Sequence, residues 1–176
     1  GFSLSSLVVP QNVALNSIGF TQSTPFVVNG DALVAGSFFA LQNQPGLTAA
    51  LNFNNLTIAS GGLLSTVLPT SSNLANAFSS ANLNLNIAGN LINNGTIATP
   101  GILNAFVGGN IANQTMGNIQ ATISAQTLNL FSGSGSIVNS GLMSAVNAIN
   151  VSTQNAATDL NINNTNGIMQ ALNGSI

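Results

Sequence analysis

The sequence contains no Lys, Arg, His, Cys, Trp or Tyr, and its 176 residues include only two acids, Asp31 and Asp159. An ordinary chain of this length carries about 44 charged residues. Each absence excludes something. Without a cation nothing neutralises phosphate, which argues against nucleic acid as a partner and against a polybasic membrane-surface site. Without His or Cys there is no Ser–His or Cys–His nucleophile, no thiolate or imidazole metal ligand and no disulfide. No run of 18 apolar residues occurs, because Asn, Ser, Thr and Gln interrupt every stretch, so no transmembrane helix is expected. No cationic segment precedes an apolar one, and any signal peptide is read as already removed.

Two carboxylates remain as possible chemistry. Asp31 and Asp159 are separated by about five coils in the repeat reading developed below, which at about 4.8 Å per coil is on the order of 24 Å. A glycosidase pair needs roughly 5–9.5 Å. Both acids therefore read as turn or strand-start residues. The expectation is a protein that is not an enzyme, with no catalytic, cofactor-binding or metal site.

The chain is 45% hydrophobic, so disorder driven by low hydrophobicity and high charge does not apply. Its polar groups are amides and hydroxyls, with 29 Asn and about one residue in five Ser or Thr. Such groups hydrogen-bond without ionising. A net charge of −2 also leaves little repulsion between copies, which favours association. Six Asn-x-Ser/Thr sequons, at Asn55, Asn94, Asn113, Asn150, Asn163 and Asn173, match what this composition gives by chance.

A glycine followed by apolar and small residues recurs at Gly36, Gly62, Gly95, Gly117, Gly141 and Gly167, with spacings of 26, 33, 22, 24 and 26. The long spacing fits an insertion around residues 69–73. An apolar–Asn–apolar triplet recurs too, centred on Asn52, Asn84, Asn129, Asn150 and Asn161. Such alternation marks half-buried strands. The glycines, with steps such as Asn94-Gly95, Asn139-Ser140-Gly141 and Asn166-Gly167, read as turn positions of positive φ. Leu74 to Phe78 reads as a short helical turn. Nine Phe read as core plugs.

Short strands, Gly/Asn turns and a period in the twenties predict an all-β fold, a parallel β-helix or β-solenoid, with repeats of about 22–26 residues over 31–176. The five triplet asparagines are expected to stack between coils as an amide ladder. Residues 1–30 fit the repeat poorly and read as an irregular N-terminal cap, or as a donor strand for a neighbouring subunit. The donor-strand option goes with an alternative fold, a β-sandwich or jelly-roll filament subunit. A carbohydrate-binding face of amides is weakened by the lack of Trp and Tyr.

The stretch 83–97 (Leu-Asn-Leu-Asn-Ile-Ala-Gly-Asn-Leu-Ile-Asn-Asn-Gly-Thr-Ile) resembles the repeat of filamentous-haemagglutinin-type adhesins, exported by two-partner secretion. So does 133–141. Asn164-Thr165-Asn166-Gly167-Ile168 is similar to the Asn-Pro-Asn-Gly-Ile motif of their secretion domain, with Thr for Pro. The resemblance covers about residues 83–170. It implies a right-handed parallel β-helix, exported, displayed at a bacterial surface and non-enzymatic. The functional expectation is an extracellular structural or adhesive rod or fibre, self-associating or touching a host surface or matrix. The alternative is a self-assembling filament subunit joined by N-terminal strand exchange.

Overall fold

A computed structural model describes residues 1–44 and 46–176. Among these the protein is all-β. Its strands belong to one sheet in which every ladder between strands is parallel. The chain winds repeatedly through three faces, and each segment pairs with the corresponding segment of the next coil. This is the pairing scheme of a β-solenoid. The sandwich and jelly-roll alternative is not what forms, since those folds are built from antiparallel ladders.

The first face comprises Ser3–Leu4, residues 26–28 and 48–53, Asn82–Ile87, Ile102–Val107, and residues 127–132 and 148–153. The second holds Leu7–Val9, residues 32–34 and 56–58, Leu91–Asn93, Ile111–Asn113, Ser136–Asn139 and Asn161–Asn163. The third holds Ala14–Ile18, Ser37–Leu41, Leu63–Ser65, Thr96–Ala98, residues 122–125 and 142–145, and Ile168–Ala171. Each face thus has seven rungs. Residues 3–18 lie in parallel register with 27–41 of the same chain.

Period-two alternation fills the interior. On the first face Leu51, Leu85, Ala105 and Leu130 form one buried row, and Ala49, Leu83, Leu103, Leu128 and Ile149 form another. The third face contributes Phe38, Leu64, Ile97, Ile123 and Met143. Full burial of a single Leu or Ile is worth about 1.5–3 kcal/mol. At one end Phe2, Phe20, Phe26 and Phe38 pack ring against ring, with centroids 5.0–5.4 Å apart.

The insertion is real and brings its own core. The chain leaves the coil after the third-face strand at Thr66 and rejoins it at Ser80, ahead of the first-face strand Asn82–Ile87; the Ser80 N–H donates to the Thr66 carbonyl at 2.9 Å. The excursion lays Leu68, Ala75 and Phe78 over the outward side of the face, burying Phe39 and Leu41 in a second apolar cluster. Within it, the Phe78 N–H donates to the Leu74 carbonyl at 3.0 Å, a single turn rather than a helix.

The recurring glycines stack, but for a different reason than positive φ. Register places Gly36, Gly62, Gly95, Ala121, Gly141 and Gly167 in one column. Apart from Gly117, none of the six glycines singled out from the sequence has a positive φ. A Cβ at Gly141 would overlap the Ala121 carbonyl oxygen, and one at Gly62 the Val34 oxygen. Close approach of the preceding coil's backbone, not turn geometry, selects glycine there. Gly117 (φ 72°) stands outside the column, at the tip of a small hairpin whose Met116 and Ile119 bridge. Ala121 takes its place.

Candidate functional site

Without a conventional reactive group, the side chains that recur in space are amides. On the outward side of the first face, Asn84, Asn104, Asn129 and Asn150 occupy one register position. Each Nδ2 donates to the Oδ1 of the coil before. Asn104 donates to Asn84 at 2.8 Å, Asn129 to Asn104 at 2.7 Å and Asn150 to Asn129 at 2.8 Å. Asn84 donates in turn to Oε1 of Gln22 at 3.0 Å. Three of the five triplet asparagines are thus brought together, and Asn104 is the member the triplet pattern missed. It lies in Leu103-Asn104-Ala105, where the small Ala hides the motif.

Asn52 and Asn161 do not join this ladder. Asn52 stands two residues further along the strand, where it accepts from Nδ2 of Asn86 at 2.8 Å. The ladder position of its coil is Ala50. Asn161 lies on the second face in register with Ser136. The triplet repeats on two faces, and sequence alone does not distinguish them.

A second ladder runs inside the solenoid. Asn93 donates to Asn113 at 2.7 Å, Asn113 to Asn139 at 2.8 Å and Asn139 to Asn164 at 2.6 Å. Asn93, Asn113 and Asn139 are fully enclosed. The second Nδ2 proton of each goes to a main-chain oxygen of the following coil, at Thr122, Leu142 and Ile168 respectively. Oδ1 of Asn93 and of Asn139 also accepts the N–H of the residue two ahead, Gly95 and Gly141. In the earlier coils the same column is aliphatic, with Val9, Val34 and Ile58. Among the described residues no buried side-chain N or O lacks a partner. That is the condition under which buried amides stabilise rather than cost.

The sequence did carry a signal for this inner row. Asn93 and Asn139 stand two residues before a column glycine, in Asn93-Asn94-Gly95 and Asn139-Ser140-Gly141. Of the two, only Asn139 belongs to a step that the sequence marks as a turn, and both are ladder members.

A third row follows the corner between the first and second faces. Nδ2 of Asn55 donates to the Asp31 carboxylate at 2.8 Å, and its Oδ1 accepts the Asn90 N–H at 2.8 Å. Oδ1 of Asn90 accepts the Asn110 N–H at 2.9 Å. Asp31 is thus an end member of a corner row. Asp159 lies near the same corner five coils on, its carbonyl against Gly135. No group of three His, Cys, Asp or Glu occurs among the described residues. No helix among them is long and apolar enough to cross a membrane.

Not all of the phenylalanines fill the interior. Phe106 and Phe131 point outward from adjacent coils of the first face and stack at 4.7 Å with 11° between their planes.

Comparison with family models, with curated proteins and with solved structures returns no match for this chain.

Proposed function

We propose that this protein is a non-enzymatic, extracellular structural and adhesive rod, a right-handed β-helix displayed at a cell surface in the manner of filamentous-haemagglutinin-type adhesins. The observation that carries the reading is the continuous parallel stack of seven rungs per face, laced by amide ladders inside and out. The mechanism is geometric. Parallel ladders give stiffness along the stacking axis, and the cluster of Phe2, Phe20, Phe26 and Phe38 closes one end of the stack as a cap. An uncharged exterior of amides, hydroxyls and exposed aliphatic side chains such as Val8, Leu33 and Ile92 makes contacts with further copies, a host surface or a matrix that ions do not screen.

Strand exchange between subunits is the weaker alternative. Residues 3–18, the natural donor segment, already pair within their own chain.

Beads coated with the purified chain, washed over cultured cells and over a bare hydrophilic surface, test the proposal. Retention above that of beads carrying an unrelated charge-poor protein, unchanged from 0.15 to 1 M NaCl, is expected. Electron microscopy should show rods of about 30–40 Å, or multiples of that length end to end. Retention equal to the control together with globular particles would sink the reading.

A further inference from the structure

One strip of the first face combines features that the rod reading does not use. Phe53, Ile87, Val107 and Ser132 share an inward register position, and the residues that follow them turn the corner. Those residues are Asn54, Ala88, Gly108 and Gly133. Gly108 and Gly133 are glycine because a Cβ on either would overlap the carbonyl oxygen of the coil before, at Ala88 and Gly108 respectively. Close stacking thus leaves a strip nearly without side chains, and a shallow, open groove results. Its main part, about 510 Å³, has Ala88 and Gly108 as floor, Phe106 beside them, and the amides of Asn52, Asn86 and Gln154 around it. A smaller hollow of about 210 Å³ shares Asn52, Phe53 and Ala88 and extends the groove one coil further, to Val27 and Asn29.

We propose that this groove binds a linear, uncharged glycan lying along the stacking axis. Neither carboxylate lines it, and the chain has no cation, so a charged ligand finds no counter-charge. The Asn86–Asn52 bond uses one proton of Asn86 and one lone pair of Asn52. The Oδ1 of Asn86 and the Nδ2 of Asn52 have no other partner among the described residues, and they offer one acceptor and one donor to ligand hydroxyls. Phe131 covers one side of the Phe106 ring. Asn86, its register partner on the preceding strand, stands against the other side, and the outward part of the ring, which is exposed, supplies an apolar contact for a sugar's C–H groups beside the amides. A few fixed polar groups around an apolar surface is how small-molecule sites achieve orientation. A peptide strand is disfavoured, because the backbone lining the groove is already paired in ladders on both sides and offers no free edge. The absence of Trp and Tyr is thus no bar, since the aromatic surface comes from a Phe that the fold turns outward.

The test uses the whole chain and neutral hexasaccharides of β-1,4-glucose, β-1,4-N-acetylglucosamine, β-1,4-mannose and α-1,4-glucose, with a sulfated hexasaccharide for comparison. Titration calorimetry at 0.05 and 1 M NaCl is expected to show micromolar binding of at least one neutral member, changing less than about twofold with salt. Phe106→Ala, and Ala88→Leu, which fills the floor, should each raise Kd about tenfold or more with an unchanged melting profile. Val8→Ala on the second face should leave Kd unaltered. Gln154→Ala, in an exposed loop, takes the place of either groove variant that fails to fold. No neutral binding tighter than about 1 mM, binding of the sulfated sugar alone, or a Kd indifferent to every folded groove variant overturns the proposal. The rod reading does not depend on this result, because bead retention and particle shape are scored without any of these sugars.

Discussion

Asn139 accepts the side-chain proton of Asn113 at 2.8 Å across one coil step, with both amides closed to solvent. Removing Asn113 therefore harms two neighbours. Asn113→Ala takes the acceptor from one Asn93 proton, which keeps only a longer bond to the Gly95 carbonyl, and leaves Oδ1 of Asn139 with the Gly141 N–H alone; breaking this enclosed row should cost about 1–3 kcal/mol. Asn129→Ala in the outer row frees groups that water reaches and should cost under about 1 kcal/mol. Chemical-denaturation midpoints of the two variants separate these expectations; equal losses would mean that the inner row is not a buried network.

The glycine column makes an asymmetric prediction. Gly141→Ala drives a methyl group into the Ala121 carbonyl and should destabilise by more than about 2 kcal/mol through displacement of the coil. Ala121→Gly, in the same column, should cost no more than about 1 kcal/mol, the usual backbone-entropy term. Thermal melts of both variants check it, and a Gly141→Ala protein as stable as the parent contradicts the close approach.

With two acids and no cation, the folded state holds no side-chain ion pair for salt to screen. The urea midpoint should therefore move little between 0.01 and 0.2 M NaCl, where exposed charge pairs in ordinary proteins weaken. A steep dependence would point to charge introduced after synthesis, for instance by amide hydrolysis.

The loop between Thr66 and Ser80 is held down mainly by apolar contact of its Leu68, Ala75 and Phe78 with Phe39 and Leu41. Phe78→Ala should release it locally while the coils stay intact. A broad-specificity protease is needed to see this, since trypsin has no site in the chain. Early cleavage within residues 70–77, followed by a stable remainder, is expected. Simultaneous degradation of the whole chain would mean that the loop and the coils unfold as one unit.

The stack was legible because its two governing patterns are local. Leu83-Asn84-Leu85 shows which side chains face inward, and column glycines such as Gly62 and Gly95 recur once per coil. Register was less legible. Gly117 and Ala121 lie four residues apart in a sequence that favours the glycine, yet the Met116–Ile119 hairpin pushes Gly117 off the coil. Asn52 and Asn161 carry the same triplet as Asn84 but sit at other register positions. The inner ladder is not legible in the sequence because asparagine is polar, and enclosure of a polar residue becomes evident only when its partner one coil away is known. The outward turn of Phe106 has the same origin: inward or outward is set by one step of strand phase.

The two amide rows differ in how firmly their direction is fixed. In each, reversing one Asn side chain sets oxygen against oxygen and nitrogen against nitrogen, so a row reverses only as a whole. The inner row is pinned at each donor, because Asn93, Asn113 and Asn139 also bind main-chain oxygens of the next coil. For the exposed row, the terminal anchor is Gln22, itself an amide that can turn over. It behaves as a one-dimensional line of coupled switches with two collective orientations of nearly equal energy, while the line inside the rod is frozen. Side-chain amide exchange measured by NMR would register the difference, as protected, single signals from Asn113 and averaged ones from Asn129.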